Sequence, residues 1–585
     1  MSINRRRFVI GGATVAAATT GLAALTGCDD GTAPDGPDAG ADLIFVGGPV
    51  VTVDGQGTTV EALAVAGGKI AAVGTRQNVM KLRTAETKLV ELDGRALLPA
   101  FVEAHSHPSQ IAATLGPPAV DVRPFVVPTG KEVMQKLADT VEATPKGAQV
   151  LLYGIDVLLQ PDLQLPTRTQ LDALAPDNPV VIVANSGHAA YANSASFRLA
   201  GITKDTPDPV GAEYVHGPDG ELTGEVRETA ALITLVTPYL RNVAEPHAYP
   251  NLQWACGQLA AAGIATASEH SYSATQQGDL YRRLAADPDV TLRIRAYEMG
   301  TPELAKDPAH VAGSAVGADQ MFAQIGMKLW ADGSPWQGNI FTSFPYLDTE
   351  ATRRMGLEPH HHGGMNYTPE QVTELATAFI TQGWQLSCHV HGDRAVDVVL
   401  DAYEKAQSPV SARSRLEHVG AMTPAQFQRA ARLGVHPSLF IAHVYFWGDP
   451  LIDELFGADH GAHWMSAKSA VDAGLRISFH NDGNVTPPDP LGNIAAAVTR
   501  KAKGSGQVLA PEQRLSVAQA VRAQTIDAAW QLHLDTEIGS LEVGKYADLV
   551  VLSADPHAVD ADALRDITVR ATYLAGRQTY AAPEG

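Results

Sequence analysis

The sequence predicts an α/β protein: a (β/α)8 TIM-type barrel with a small β-sandwich domain formed by both chain ends. Three observations carry that prediction. Apolar strand-like runs alternate with helical patterns through the middle of the chain, from VVIVANSGH, GIATASEH and LRIRAYE to GMKLWADG, QLSCHVHGD, RLEHVG, GVHPSLF and LRISFHNDG, as a parallel sheet with crossover helices requires. Polar or charged residues recur at the C-terminal ends of those runs, where a barrel of this kind keeps its active site. The two chain ends read as short Val/Ile/Ala-rich strands broken by Gly-Gly and Asp-Gly turns. Fold analogy, more than periodicity, joins those ends into one sandwich.

The expected boundaries follow. Residues 1–28 form an export signal and 29–40 a flexible linker. The composite sandwich takes 41–98 and 537–585, and the barrel 99–536 with an insertion over about 110–255. At 585 residues with 45% hydrophobic content the chain can bury a large core. A net charge of −21 argues against nucleic acid as a partner and for solubility.

The N-terminus reads as an address. Asn4-Arg5-Arg6-Arg7-Phe8-Val9 resembles a twin-arginine motif, and a weakly apolar Ala/Gly/Thr-rich segment runs on to Leu25. Leu25-Thr26-Gly27-Cys28 resembles a lipobox, which marks Cys28 for lipidation; an uncleaved membrane anchor is the alternative. The expected location is the periplasmic side of the cell envelope, tethered to a membrane by that lipid. Loss of the three leader arginines takes the charge from −21 to −24. Cys256 and Cys388 remain and are expected as buried free thiols.

The stretch around which the chain is arranged is LLPAFVEAHSHP, Leu97 to Pro108. Alternate residues of an extended chain share a face, so His105 and His107 aim their imidazoles the same way. Two convergent nitrogens at a strand end are half of a metal site. An isolated His-x-His also occurs as two surface histidines in a turn. The strand-like run before this pair, and further metal-type ligands downstream, favour the metal.

Those ligands stand at later strand ends. Lys328 lies inside an otherwise apolar run. Either it snorkels or pairs with Asp332, or it carries CO2 as a carbamate whose two oxygens bridge two cations. His389 ends QLSCHV, His418 ends RLEHV and Asp482 ends RISFHND. Each is weak alone; the ordered set is not.

At this point the chain resembles the amidohydrolase superfamily of metal-dependent hydrolases, and within it the YtcJ-like subgroup. The resemblance runs from about Ala41 to about Tyr580, on LLPAFVEAHSHP, PTRTQLDALAPDNPVVIVANSGHAAYANS, GELTGEVRE, KLWADGS, HVHGDRAVDVVLDAYE, RLEHVG, DPLGNIAAAVTR and GSLEVGKYADLVVL. It implies hydrolysis of an amide-type C–N bond or a related ester or ring bond, with N-substituted formamides as the first substrate class. Carried over by position, His105 and His107 hold a first divalent cation. Carboxylated Lys328 bridges to a second held by His389 and His418, and Asp482 sits against the first as general acid/base for a metal-activated hydroxide. One or two cations are expected, with zinc suiting these ligands best. An isomerase on the same site and a non-catalytic binding lipoprotein are the alternatives. A small-molecule substrate is the expected partner, with a homodimer possible.

The chain also departs from the subgroup. His391 replaces an apolar residue and shares a face with His389, so substrate, metal or plain burial all remain open to it. His436-Pro437 stands where relatives tend to show Gln-Pro, and Asn481-Asp482 where Ser-Asp is usual. His188, in Asn185-Ser-Gly-His188, is expected to contact substrate or a tetrahedral oxyanion. His436 and Trp336 are further candidates for the substrate pocket; Asp156, Glu228, Glu269, His270 and Asp332 either line the same cleft or hydrogen-bond structurally.

Overall fold

In the computed structural model residues 40–583 are described, apart from 161, 210–211, 308, 314–315 and 407–412. The twin-arginine motif, Cys28 and the linker up to residue 39 lie outside the described residues.

Eight parallel strands stand side by side in chain order: β1 (Phe101–Glu103), β2 (Ile264–Tyr272), β3 (Arg293–Met299), β4 (Phe322–Trp330), β5 (Gln385–Val390), β6 (Arg415–His418), β7 (His436–Leu439) and β8 (Ser478–Phe479). Helices follow the strands, as in Asp393–Ala406 after β5 and Pro424–Leu433 after β6. Thr423 caps the latter in a reciprocal pair with Gln426, with Pro424 at the first helical position, satisfying amides that the helix cannot bond itself. The two outer strands approach through a side chain, where the Asn481 N–H donates to the Glu103 carboxylate at 2.5 Å.

Alternation decides what fills the barrel. On β4, Met327 and Leu329 join the large apolar core between strands and helices, so Lys328 faces inward, fully buried. On β5, Leu386, Cys388 and Val390 face out while Ser387 and His389 face in. The barrel interior is therefore polar, packed with buried histidines, serines, arginine and glutamate.

The insertion after β1 builds a mixed six-stranded sheet in the order Glu213–His216, Leu222–Arg227, Ala189–Ala192, Val180–Ala184, Val150–Ile155, Val120–Asp121. The apolar run Val180–Ala184, grouped by composition with the barrel strands, belongs here instead: a tight turn sends it back into its antiparallel neighbour Ala189–Ala192.

Both chain ends share a second six-stranded sheet, in which Leu549–Leu552 pairs antiparallel with Ala96–Pro99. A four-stranded sheet from residues 43–91 packs on it, through Phe45, Leu63 and Ile70 against Leu97, Leu549 and Tyr573. Cys256 and Cys388 are buried free thiols. No helix among the described residues is long and apolar enough to cross a membrane.

Leu549 is fully buried at the seam of the two chain ends. Leu549→Ala is expected to cost about 2–5 kcal/mol, seen as a lower urea midpoint. Val543→Ala, at a half-exposed position of the same segment, should stay within about 0.5 kcal/mol. Equal shifts would show that the C-terminal strand is not integral to the fold.

Candidate metal centre

Five barrel strands deliver side chains to one point at the mouth. His105 and His107 follow β1, Lys328 lies near the end of β4, and His389 and His418 end β5 and β6. Asp482 follows β8. His105 Nε2 and His107 Nε2 each lie 3.1 Å from Asp482 Oδ1, and Lys328 Nζ lies 3.5 Å from His105 Nε2. His105, His107 and Asp482 form one group whose ligand atoms lie within 4.8 Å of one another; His389, His391 and His418 form another. Asp482 and the turn after it come close to His107: a Cβ on Gly483, at φ +58°, would stand 2.7 Å from the His107 nitrogen, which a side chain does not tolerate.

His418 reaches this point against the strand's alternation. Leu416, two residues earlier, faces the outer core, so a regular strand would turn His418 outward as well. Left-handed backbone at His418 (φ 71°) and Val419 (φ 51°) redirects it inward. Its ring lies 4.7 Å from that of His105 and 4.4 Å from that of His389. Asp482 is left-handed too, at φ 57°. Such backbone costs about 1–3 kcal/mol per residue and persists where the surroundings over-determine it.

Hydrogen bonds on the far side of each ring select the nitrogen that faces the cluster. His105 Nδ1 lies 2.7 Å from Glu417 Oε2, leaving Nε2 inward. His107 Nδ1 is held by Ser271 Oγ at 2.8 Å. His389 Nε2 donates to the Gly333 carbonyl at 2.8 Å, leaving Nδ1. His418 Nδ1 meets His480 Nε2 at 3.0 Å, and His480 in turn is held by Ser438. Outer partners of this kind orient ligating imidazoles and tune their basicity.

The electrostatics suit a cation. Burial holds His105, His389 and His418 well below the usual histidine range, with neighbouring cationic groups adding to it; neutral imidazole is the ligating form. Burial opposes charge on His107 too, but hydrogen bonding to Asp482 and Glu269 outweighs it and raises its pKa. The same His107 contact, against the opposing effect of burial, keeps Asp482 below the ordinary aspartate value. Burial lowers Lys328 to about 8, which raises the share of neutral amine, the form that adds CO2, to about a tenth at pH 7. Asp332 does not pair with Lys328: it accepts the backbone N–H groups of His391 and Gly392 at 2.9 and 2.8 Å, fixing the turn after β5.

The substrate-side candidates separate. His391 joins the cluster, stacked on His418 at 4.9 Å with its Nδ1 buried and unpartnered. Trp336 is buried, stacked on Trp447 at 4.8 Å and edge-on to His443. His188 sits in the turn of the insertion sheet, its Nδ1 3.0 Å from Glu228 Oε2. One expectation is corrected and another resolves. His436 is the first residue of β7, at the opposite end of the barrel, where it packs against Trp530 and hydrogen-bonds the Arg476 backbone. Asp156 takes the structural one of its two readings: Oδ1 accepts the N–H groups of Leu158 and Leu159, and Oδ2 accepts the Trp447 indole N–H at 3.1 Å.

Of the inner support, sequence reasoning named His270 and missed Glu417, Arg415, Ser387 and His480. Glu417 bonds His105 while Arg415 pairs with it at 2.9 Å and Ser387 donates to its other oxygen. His105 is sandwiched between His270 at 4.1 Å and His480 at 4.7 Å. The strand pattern R-x-E-H, with a charged pair facing inward on an otherwise buried strand, was the one available signal.

A barrel with clustered imidazoles and a carboxylate at its mouth is the frame of a metal-dependent hydrolase. The chain belongs to the amidohydrolase family, whose model matches residues 88–580. It is 28% identical over 546 residues to the N-substituted formamide deformylase of Arthrobacter pascens, spanning 92% of this chain and 98% of that one. It is 26% identical to the putative amidohydrolase YtcJ of Bacillus subtilis, over 92% and 99% of the two chains. Among solved structures, an uncharacterized metal-dependent hydrolase from Pyrococcus horikoshii shares the fold, with a TM-score of 0.69 at 23% identity over 89% of this chain and 99% of that one.

His436 gives a pH test remote from the cluster. Burial holds it down to about 4, against 6.5 ordinarily. Between those values the unfolded chain binds a proton that the folded chain refuses, so stability falls as pH drops through that window. His436→Gln should remove up to about 3 kcal/mol of that loss. Parallel stability–pH curves for variant and wild type would contradict it.

Proposed function

We propose that this protein is a metal-dependent hydrolase of carbon–nitrogen bonds in non-peptide amides, with N-substituted formamides as its first substrate class. The observation that carries the reading is the convergence of His105 Nε2 and His107 Nε2 on Asp482 Oδ1 beside Lys328 and two further imidazoles. The substrate class is supported by similarity along almost the whole chain to a deformylase of N-substituted formamides.

In this reading His105, His107 and Asp482 would hold one divalent cation, most simply Zn2+, and His389 and His418 would hold a second. Lys328, 3.5 Å from His105 Nε2, would serve as a further ligand if carboxylated. Divalent cations held by these residues would supply Lewis acidity, lowering the pKa of a bound water towards neutrality and polarising a carbonyl. Asp482 takes a proton from the attacking water and returns it to the leaving nitrogen as the C–N bond breaks. Formic acid and an amine are the products for a formamide. His188 contacts the substrate from the insertion, His391 borders the cluster, and Trp336 with Trp447 walls the pocket. The two sheets built from the chain ends serve as a composite β-sandwich beside the barrel.

Chelator-stripped protein should lose turnover of N-alkyl formamides and regain it with Zn2+ and bicarbonate, at one to two metal equivalents per chain. Asp482→Asn should lower kcat by about 10²–10⁴-fold with little change in thermal midpoint. Full turnover without metal would overturn the reading.

The leader supports export through the twin-arginine route and lipid attachment at Cys28. Cys28→Ser should move the protein from the membrane fraction to the soluble envelope fraction. A variant still membrane-bound would argue for an uncleaved anchor.

A further inference from the structure

The turn that carries His188 is tied to the loop after β4 by a hydrogen-bond chain with only one possible direction. Its origin is a backbone amide: the Ser334 N–H donates to Asn339 Oδ1 at 2.6 Å. A backbone N–H can only donate, so the Asn339 side chain must present its NH2 at the other end. That NH2 meets Glu228 Oε1 in a short contact. The other carboxylate oxygen, Oε2, lies 3.0 Å from His188 Nδ1. A carboxylate only accepts, so Nδ1 carries the proton. In the neutral ring Nε2 is then a lone pair. Among the described residues Nε2 has no protein hydrogen-bond partner, and the chain leads back to the mouth, where the Gly333 N–H donates to the Asn339 carbonyl at 3.2 Å and the Gly333 carbonyl accepts from His389 Nε2 at 2.8 Å.

The fold fixes this chain at both ends. Sheet register places Ala189 opposite Arg227, so the next pair, His188 and Glu228, are neighbours, and the Glu228 N–H donates to the His188 carbonyl at 2.7 Å. Glu228 itself is held at φ 68°, ψ 157°, a conformation that is all but confined to glycine. A second tie runs alongside, from Gln337 Nε2 to Ser186 Oγ at 3.0 Å, and the Ser186 hydroxyl also accepts the His188 N–H. A non-glycine residue in so unfavourable a conformation, with its carboxylate spanning two loops, is costly unless that carboxylate has work to do.

We infer that Glu228 is a positioning residue that locks His188 in the Nδ1–H tautomer, so that Nε2 accepts the N–H of the substrate and selects secondary amides. The inference rests on the amide-hydrolase reading above and refines it. A substrate R–NH–CHO offers the donor that Nε2 needs. Its N-methylated analogue and the corresponding formate ester offer none and leave the acceptor unpaired, the situation in which polar sites discriminate most strongly.

The test compares kcat/KM for a matched set, an N-alkyl formamide, its N-methyl derivative and the alkyl formate, in wild type, Glu228→Gln and Glu228→Gly. Wild type should prefer the secondary formamide over the N-methyl form by at least about tenfold. In Glu228→Gln the Asn339 NH2 holds the new carbonyl oxygen, so the new NH2 faces Nδ1 and drives the ring to the Nε2–H tautomer. The preference should then collapse to within about threefold, at unchanged metal content. Glu228→Gly removes the carboxylate and relieves the backbone, so the preference should fall while the thermal midpoint holds or rises. That pairing separates positioning from a merely structural role.

Two-bond 1H–15N correlation on histidine-labelled holoenzyme reads the tautomer without any substrate. Pyrrole-type Nδ1 and pyridine-type Nε2 at His188 are expected in wild type, reversed in Glu228→Gln. The opposite tautomer in wild type, or equal turnover of secondary and N-methyl formamides, overturns the inference. If no amide is turned over while the tautomer is as expected, the amide-hydrolase reading fails and takes N–H recognition with it, whereas the tautomer assignment survives.

Discussion

Glu417 is the buried carboxylate on which the barrel interior depends. It faces inward from β6 with no solvent exposure, beside the equally buried Arg415. An isolated charge there would be several kcal/mol too costly. It persists because every oxygen is engaged, by Arg415, by the Ser387 hydroxyl and by His105 Nδ1. Arg415 in turn donates to the Ala104 carbonyl, one residue before His105. One ion pair thus satisfies its own desolvation and sets both the backbone and the tautomer of the first histidine of the cluster. Loss of either partner would strand the other as a buried charge and release His105 together with it.

The rest of the mouth is built on the same rule, that each imidazole is fixed by what its outer nitrogen bonds. Ser271 serves His107, the Gly333 carbonyl serves His389, and His480 with Ser438 serves His418. Strain is stored where alternation alone would misdirect a side chain, at His418, Val419 and Asp482, and again at Glu228 in the insertion. The barrel and the insertion meet through short polar ties between residues 186–228 and 334–339. The loop after β4, which follows the strand bearing Lys328, therefore connects the candidate metal cluster, through the Gly333 carbonyl on His389, to the turn that carries His188.

Much of this site was legible in the chain because it is local. His-x-His at the end of an apolar run, a lysine inside a strand and polar residues closing successive strands are patterns over a few residues, fixed by the two-residue period of extended backbone. The strand order was legible for a related reason, since alternating strands and helices leave few topologies. What failed or stayed open was also instructive. His436 and Asp156 carry the right functional groups, but a pattern of residue types does not say which end of a short strand a side chain occupies, or whether its oxygens are already taken.

The sequence by itself determined the class of fold, the inward-facing set His105, Lys328 and His389, and the presence of further histidines and an aspartate at strand ends. Only the tertiary structure decided that His418 turns inward against its strand and that Glu417 meets His105 from 312 residues away. It also decided that Glu228, through sheet register, stands beside His188. The physical reason is range. Side-chain direction along a strand follows from neighbouring residues, whereas the partner of a buried polar group is whatever the curved eight-stranded sheet and the insertion bring within about 3 Å of it.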